Sequence, residues 1–182
     1  KNDEVIIPSP YWVSYPDIVN LAGGKPIILG TEMKDNFKII PKQLEANISE
    51  KTKWFIINSP GNPTGAVYDK SELKEISKVL LKNPHVNILS DDIYEHITYG
   101  TKFYNVLNVE PKLYENTFIV NGVSKAFSMT GWRIGYGAGK KELIKAISKI
   151  QSQSTTNPCS ISQVAAKPVS YTHLTLPTIP GV

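Results

Sequence analysis

Trp54-Phe-Ile-Ile-Asn58, Ser59-Pro-Gly-Asn-Pro-Thr-Gly65, Asp69-Lys-Ser-Glu-Leu-Lys-Glu-Ile-Ser-Lys-Val-Leu80 and Val86-Asn-Ile-Leu-Ser-Asp91, read in succession, decide the fold. A short apolar run leads into a turn rich in Gly and Pro, then into an amphipathic stretch that sets Leu73, Ile76 and Leu80 on one helix face. Asp69 and Glu72 have the spacing of a capping box, and Asn83-Pro84 ends the helix. A second apolar run follows, so the unit reads as strand, helix, strand.

The same alternation extends in both directions. Val5–Ile7, Pro26–Leu29 and Thr117–Asn121 read as further strands. Tyr11–Leu21 reads as a helix stopped by Gly23-Gly24, and a shorter helix is expected from Pro41. From Lys141 to about Ser152, Leu143, Ile144, Ile147 and Ile150 fall on one side of another helix. Strands alternating with helices predict a layered α/β fold.

At 182 residues, 41% hydrophobic and 20% charged, the chain has the composition of a soluble globular domain. No run approaches the roughly 18 apolar residues of a membrane span. The net charge of +4 comes from lysines spread along the chain among Glu and Asp, which argues against a nucleic-acid surface. A single cysteine, Cys159, excludes an internal disulfide and fits a reducing, cytoplasmic compartment. Of 20 basic residues only Arg133 is arginine. Its planar fork binds phosphate or carboxylate in a way that lysine cannot, so the lone arginine marks a candidate anion site.

Ser124-Lys125-Ala-Phe-Ser-Met-Thr-Gly-Trp-Arg133 follows the strand ending at Asn121. A lysine at a strand end can reach an aldehyde and act as a nucleophile. Ser90-Asp91-Asp92-Ile-Tyr94-Glu95 closes another strand with a carboxylate and places a tyrosine three residues on. With the Asn62-Pro-Thr-Gly65 turn, these motifs lie beyond strand ends, where open α/β sheets bind ligands. Strand alternation sends Asp91 and Asp92 to opposite faces, and the step to Tyr94 selects Asp91 for the site.

Pro10-Tyr11-Trp12, Asn62-Pro63-Thr64-Gly65, Asp91 to Glu95 and Ser124-Lys125 to Arg133 together resemble class I, fold-type I aminotransferases, in this order and at these separations. Ile150-Gln-Ser-Gln-Ser154 and Asn157-Pro158 are similar to the prokaryotic aspartate aminotransferase branch. The resemblance implies a three-layer α/β/α major domain with a mostly parallel sheet, and pyridoxal 5'-phosphate as cofactor. It implies transfer of an amino group from an amino acid, aspartate, to a 2-oxo acid, 2-oxoglutarate, by a homodimer.

Residue by residue, Lys125 corresponds to the lysine that carries the cofactor and moves the substrate's proton. Asp91 keeps the pyridine nitrogen protonated, Tyr94 and Asn62 donate to the phenolate oxygen, Arg133 clamps the phosphate and Trp12 stacks on the ring. Trp12, as an aromatic near a helix start, reads equally as core packing. His85 and His96 read as structural or solvated. Two departures stand out: Asp92 where many relatives have Glu, and Gly122 where some have a phosphate-contacting Ser. The second leaves Ser124 and backbone amides as local phosphate donors.

The resemblance covers residues 1–166 as the central part of the cofactor-binding large domain, with the family's phosphate loop expected before Lys1. The arginine that grips the substrate carboxylate is expected after Ala166. Val169-Ser-Tyr-Thr-His-Leu-Thr-Leu-Pro-Thr178 reads as one frame of a transposon-type sequencing adapter, so 167–182 are expected to be a non-native tail without functional weight. Other enzymes of this scaffold, an aromatic aminotransferase or a cysteine-conjugate β-lyase, would share the same residues. An aminotransferase-like sensor domain of a transcription regulator is the alternative outside enzymes.

Overall fold

In the computed structural model, which describes residues 2–171, a six-stranded sheet with strand order β2-β1-β3-β4-β5-β6 is built from Glu4–Ser9, Lys25–Gly30, Thr52–Asn58, Asn87–Asp91, Thr117–Gly122 and Gly135–Ala138, numbered β1 to β6 in chain order. Strands β1 to β5 run parallel and β6 pairs antiparallel with β5. Six α-helices accompany them: α1 Ser14–Leu21, α2 Pro41–Asn47, α3 Lys70–Lys82, α4 Val106–Val109, α5 Lys141–Gln151 and α6 Ser160–Val169.

A parallel sheet needs cover on both faces, and the near-continuous apolar runs of β1 and β3 supply both. Towards α2, α3 and α4, Ile6, Phe55, Ile57 and Ile88 pack on Leu44, Leu73, Ile76, Leu80 and Val106. On the opposite face Val5, Ile7 and Ile56 meet Tyr15 and Val19 of α1. Helices on either side of one sheet make the three layers that the family resemblance implies. Among the described residues no helix is long and apolar enough to cross a membrane.

Helix α3 begins as its sequence dictates. The Asp69 side chain accepts from the Glu72 amide at 2.8 Å, and Glu72 Oε2 accepts from the Asp69 amide at 2.8 Å. Helix α1 starts later than its apolar pattern suggests, at Ser14 and not Tyr11. Pro16 lacks an N–H and its ring collides with the carbonyl four residues back, so a helix begun at Tyr11 would carry Pro16 in its interior. Started at Ser14, the helix keeps Pro16 in its first turn, and the chain turns out of α1 at Gly23 with φ +75°.

Strand β6 and helix α6 were not visible in the sequence pattern. Gly135-Tyr-Gly-Ala138 lacks the β-branched residues of a strand, yet Gly137 lies so close over the Phe118 ring of β5 that any side chain there would overlap it. Of the expected tail, Lys167–Val169 continue α6, and residues 172–182, with His173 among them, lie outside the described residues.

Parallel strands bring their carboxyl ends to one edge of the sheet. Trp12 follows β1, Asn62 follows β3, Tyr94 follows β4 and Lys125 follows β5, so residues far apart in sequence share that edge. Because β6 is antiparallel, it is its beginning that lies there, directly after Arg133; Gly135 pairs with Gly122.

Candidate active site

Beyond these strand ends lies a cavity of about 370 Å³, within the range of about 300–1,000 Å³ usual for small-molecule sites. Asn62, Asp91 and Tyr94 line it together with Ser124, Lys125 and Arg133, and Trp12 forms part of its wall. All seven residues singled out in the sequence therefore face one space.

Asp91 closes β4 and is held on three sides. Its backbone carbonyl accepts from Asn58 Nδ2 at 2.9 Å, its Oδ1 accepts from the Ile93 amide at 3.2 Å, and its Oδ2 accepts from the Tyr15 hydroxyl at 2.6 Å. Burial pushes the Asp91 carboxyl above the usual carboxylate range, and the hydrogen bonds from Tyr15 and Ile93 oppose that. Asn58 also accepts from the Asn62 amide at 2.8 Å through Oδ1. One side chain thus couples the Asn-Pro-Thr-Gly turn to the strand end that carries Asp91.

Asp92, one residue on, points through the sheet. It is 3% exposed, and it accepts from Ser90 Oγ at 2.6 Å and from Asn105 Nδ2, in the N-cap residue of α4, at 2.8 Å. Burial pushes its carboxyl up to about 6. A carboxyl raised above its unfolded value binds its proton more tightly in the folded state. Its contribution to stability is therefore largest below pH 4, falls between about pH 4 and 6, and is flat above. The shift corresponds to on the order of 3 kcal/mol. Urea unfolding midpoints measured from pH 4 to 7 should fall more steeply in the native protein than in Asp92→Asn.

Lys125 lies in the loop after β5, with Nζ 5.9 Å from the centroid of the Tyr94 ring. Arg133 follows the 3-10 turn Thr130–Trp132 and adopts φ 55°, a left-handed conformation disfavoured for a residue with a Cβ. From there its Nη1 donates to the Thr130 carbonyl at 2.9 Å. This bond ties the guanidinium to the β5–β6 connection, the same segment that carries Lys125. At Gly122 a Cβ would come within 2.8 Å of the Ile134 carbonyl, so a serine does not fit this backbone; Ser124 and Thr130 are the aliphatic hydroxyl residues that line the cavity.

The donor set is graded across the cavity. A half-buried carboxylate ends the strand β4, neutral donors Asn62 and Tyr94 lie beyond it, and Ser124, Lys125, Thr130 and Arg133 bring the cationic and hydroxyl groups. A ligand with a protonated ring nitrogen, a phenolic oxygen and a phosphate matches that gradation.

Residues 1–175 match the family model of aminotransferase class I and II. The chain belongs to this aminotransferase family. Its relatives include the probable aspartate/prephenate aminotransferase of Rickettsia bellii, 65% identical over 167 residues that cover 91% of this chain and 42% of the relative. The crystal structure of the aspartate aminotransferase from Rhizobium meliloti superposes with a TM-score of 0.91 at 49% identity, over 95% of this chain and 43% of that one. The aromatic aminotransferase from Pyrococcus horikoshii matches at TM-score 0.88 and 39% identity, over 92% and 45%. This aminotransferase chain thus spans less than half the length of the relatives it matches.

Two polar residues of the cavity lining escaped the sequence reading. Asn58 carried a signal, being the polar end of an otherwise apolar strand. Tyr15 carried a weaker one: it shares the sheet-facing side of α1 with Val19, and a buried phenol must find a partner.

Proposed function

We propose that the full protein containing this chain is a pyridoxal-5'-phosphate-dependent aminotransferase exchanging an amino group between aspartate and a 2-oxo acid, 2-oxoglutarate, as a cytoplasmic homodimer. The reading rests above all on Lys125, Asp91 and Arg133 lining one cavity with the neutral donors Asn62 and Tyr94. Names of relatives add prephenate as a second acceptor to be assayed. Residues 1–166 form the central part of its cofactor-binding domain in this proposal, and 167–182 play no part in it.

Pyridoxal phosphate, when bound, supplies a pyridinium ring that accepts the electron pair released as the substrate α-carbon loses its proton. Asp91 holds the proton on the ring nitrogen. Asn62 and Tyr94 donate hydrogen bonds to the phenolate oxygen. Arg133 and Ser124 would hold the phosphate, and Trp12 would lie against the ring. Lys125 Nζ would hold the cofactor through its aldehyde carbon and, as a free amine, would take up the proton of the substrate α-carbon.

Steady-state assays of the full-length protein with aspartate and 2-oxoglutarate, and with glutamate and prephenate, test this reading. Amino transfer from aspartate is expected; transfer from aromatic amino acids with none from aspartate would favour the aromatic enzyme. The 182 residues expressed alone should turn over at less than a hundredth of the full-length rate. They span 42% of the length of the Rickettsia bellii relative, and each charge-assisted hydrogen bond that the rest of the protein would add to the site is worth about 1.5–3 kcal/mol. A soluble 182-residue chain with full-length turnover would contradict this.

A further inference from the structure

Tyr15 and Asp91 are separated by 76 positions, yet the 2.6 Å contact between them is the shorter of the two hydrogen bonds made to the Asp91 carboxylate. Tyr15 is 7% exposed; its ring packs with Val5, Ile7, Val19 and Ile56 and meets Trp12 edge-on at 5.5 Å between centroids. Both partners line the cavity. We propose that Tyr15 is a positioning residue for Asp91: its hydroxyl fixes the carboxylate's orientation and keeps it ionised, so that Asp91 can hold a proton on the cofactor's ring nitrogen. The proposal rests on the pyridoxal-phosphate reading above.

The direction of the hydrogen bond follows from the surroundings. Burial, reinforced by the charge of Asp91, pushes the Tyr15 phenol far above its ordinary value, so Tyr15 keeps its proton and remains a donor. Burial also favours the neutral form of Asp91, against which stand only the bonds from Tyr15 and the Ile93 amide. Without the Tyr15 hydroxyl, Asp91 takes up a proton at higher pH, and a neutral carboxyl no longer pairs with a pyridinium. The other ionisable groups around Asp91 are Tyr94 after β4, Lys125 and Arg133 across the cavity, and Asp92 towards the opposite face. Among the described residues, Tyr15 is the only side chain that hydrogen-bonds the Asp91 carboxylate.

The test uses full-length Tyr15→Phe, which keeps the packed ring, and pyridoxal phosphate as the probe, with its Kd measured by absorbance from pH 4.5 to 9. The acid limb of affinity should move up by about one pH unit, a tenfold weakening within the limb, consistent with loss of one hydrogen bond to a charged group. Affinity at alkaline pH should stay close to that of the native protein. In the cofactor-free protein, the carboxyl carbon of Asp91 followed by NMR should titrate higher by the same amount. In an Asp91→Asn background, Tyr15→Phe should change the Kd by less than about twofold.

A loss of affinity equal at all pH values, or an unmoved Asp91 titration, would mean that Tyr15 only packs and would overturn the proposal while leaving the cofactor reading intact. Absence of any pyridoxal phosphate binding by the native protein would overturn both. Should Tyr15→Phe fail to fold, the pair can be read from the other side. Asp91→Asn should lower the phenol titration of Tyr15, and an unchanged phenol would overturn the proposal.

Discussion

Lys125→Ala in the full-length protein is expected to lower amino transfer by about 10⁴-fold, the upper range of what a positioned acid–base group contributes. Among the described residues Lys125 is the only lysine lining the cavity, with Nζ 5.9 Å from the centroid of the Tyr94 ring. Lys125→Arg should be equally inactive, because a guanidinium keeps the positive charge but does not give up its proton to act as a base. Single-turnover mixing with aspartate separates this loss from weakened substrate binding. A Lys125→Ala variant within tenfold of the native rate would remove Lys125 from the chemistry.

Asp91→Ala is expected to cost roughly 10²–10⁴-fold in kcat/KM, corresponding to the 3–5 kcal/mol typical of breaking a buried charge pair. Its neighbour should behave differently. Asp92 faces away from the cavity, bound to Ser90 and Asn105, so Asp92→Ala leaves those two donors without their acceptor. That variant should lose on the order of 1–3 kcal/mol of stability while its folded fraction retains activity within about threefold. Chemical unfolding and steady-state kinetics on the same two variants separate the effects, and the reverse ranking would overturn the assignment of Asp91.

What the sequence made legible was local. The Asp69–Glu72 capping box, the Leu73, Ile76 and Leu80 face, and the alternation that parts Asp91 from Asp92 all lie within a few residues and follow from helix or strand period. The placement of the site was legible for a related reason: motifs that end successive parallel strands must meet at one edge. Contacts across the sheet were not. The late start of α1 depends on Pro16, visible in the sequence but outweighed there by the apolar pattern. Strand β6 depends on Gly137 lying over Phe118, and the hold on Asp91 depends on Tyr15, 76 positions away. Such pairings are set by packing between elements, which no single segment's periodicity encodes.

Lys125 is the proposed point of attachment for the cofactor. Borohydride reduction of the full-length protein with pyridoxal phosphate bound, followed by proteolysis and mass spectrometry, reads this directly. One reduced pyridoxyl group is expected on the peptide carrying Ser124-Lys125-Ala126, at Lys125. A pyridoxyl group on any other lysine, with Lys125 unmodified, would contradict it.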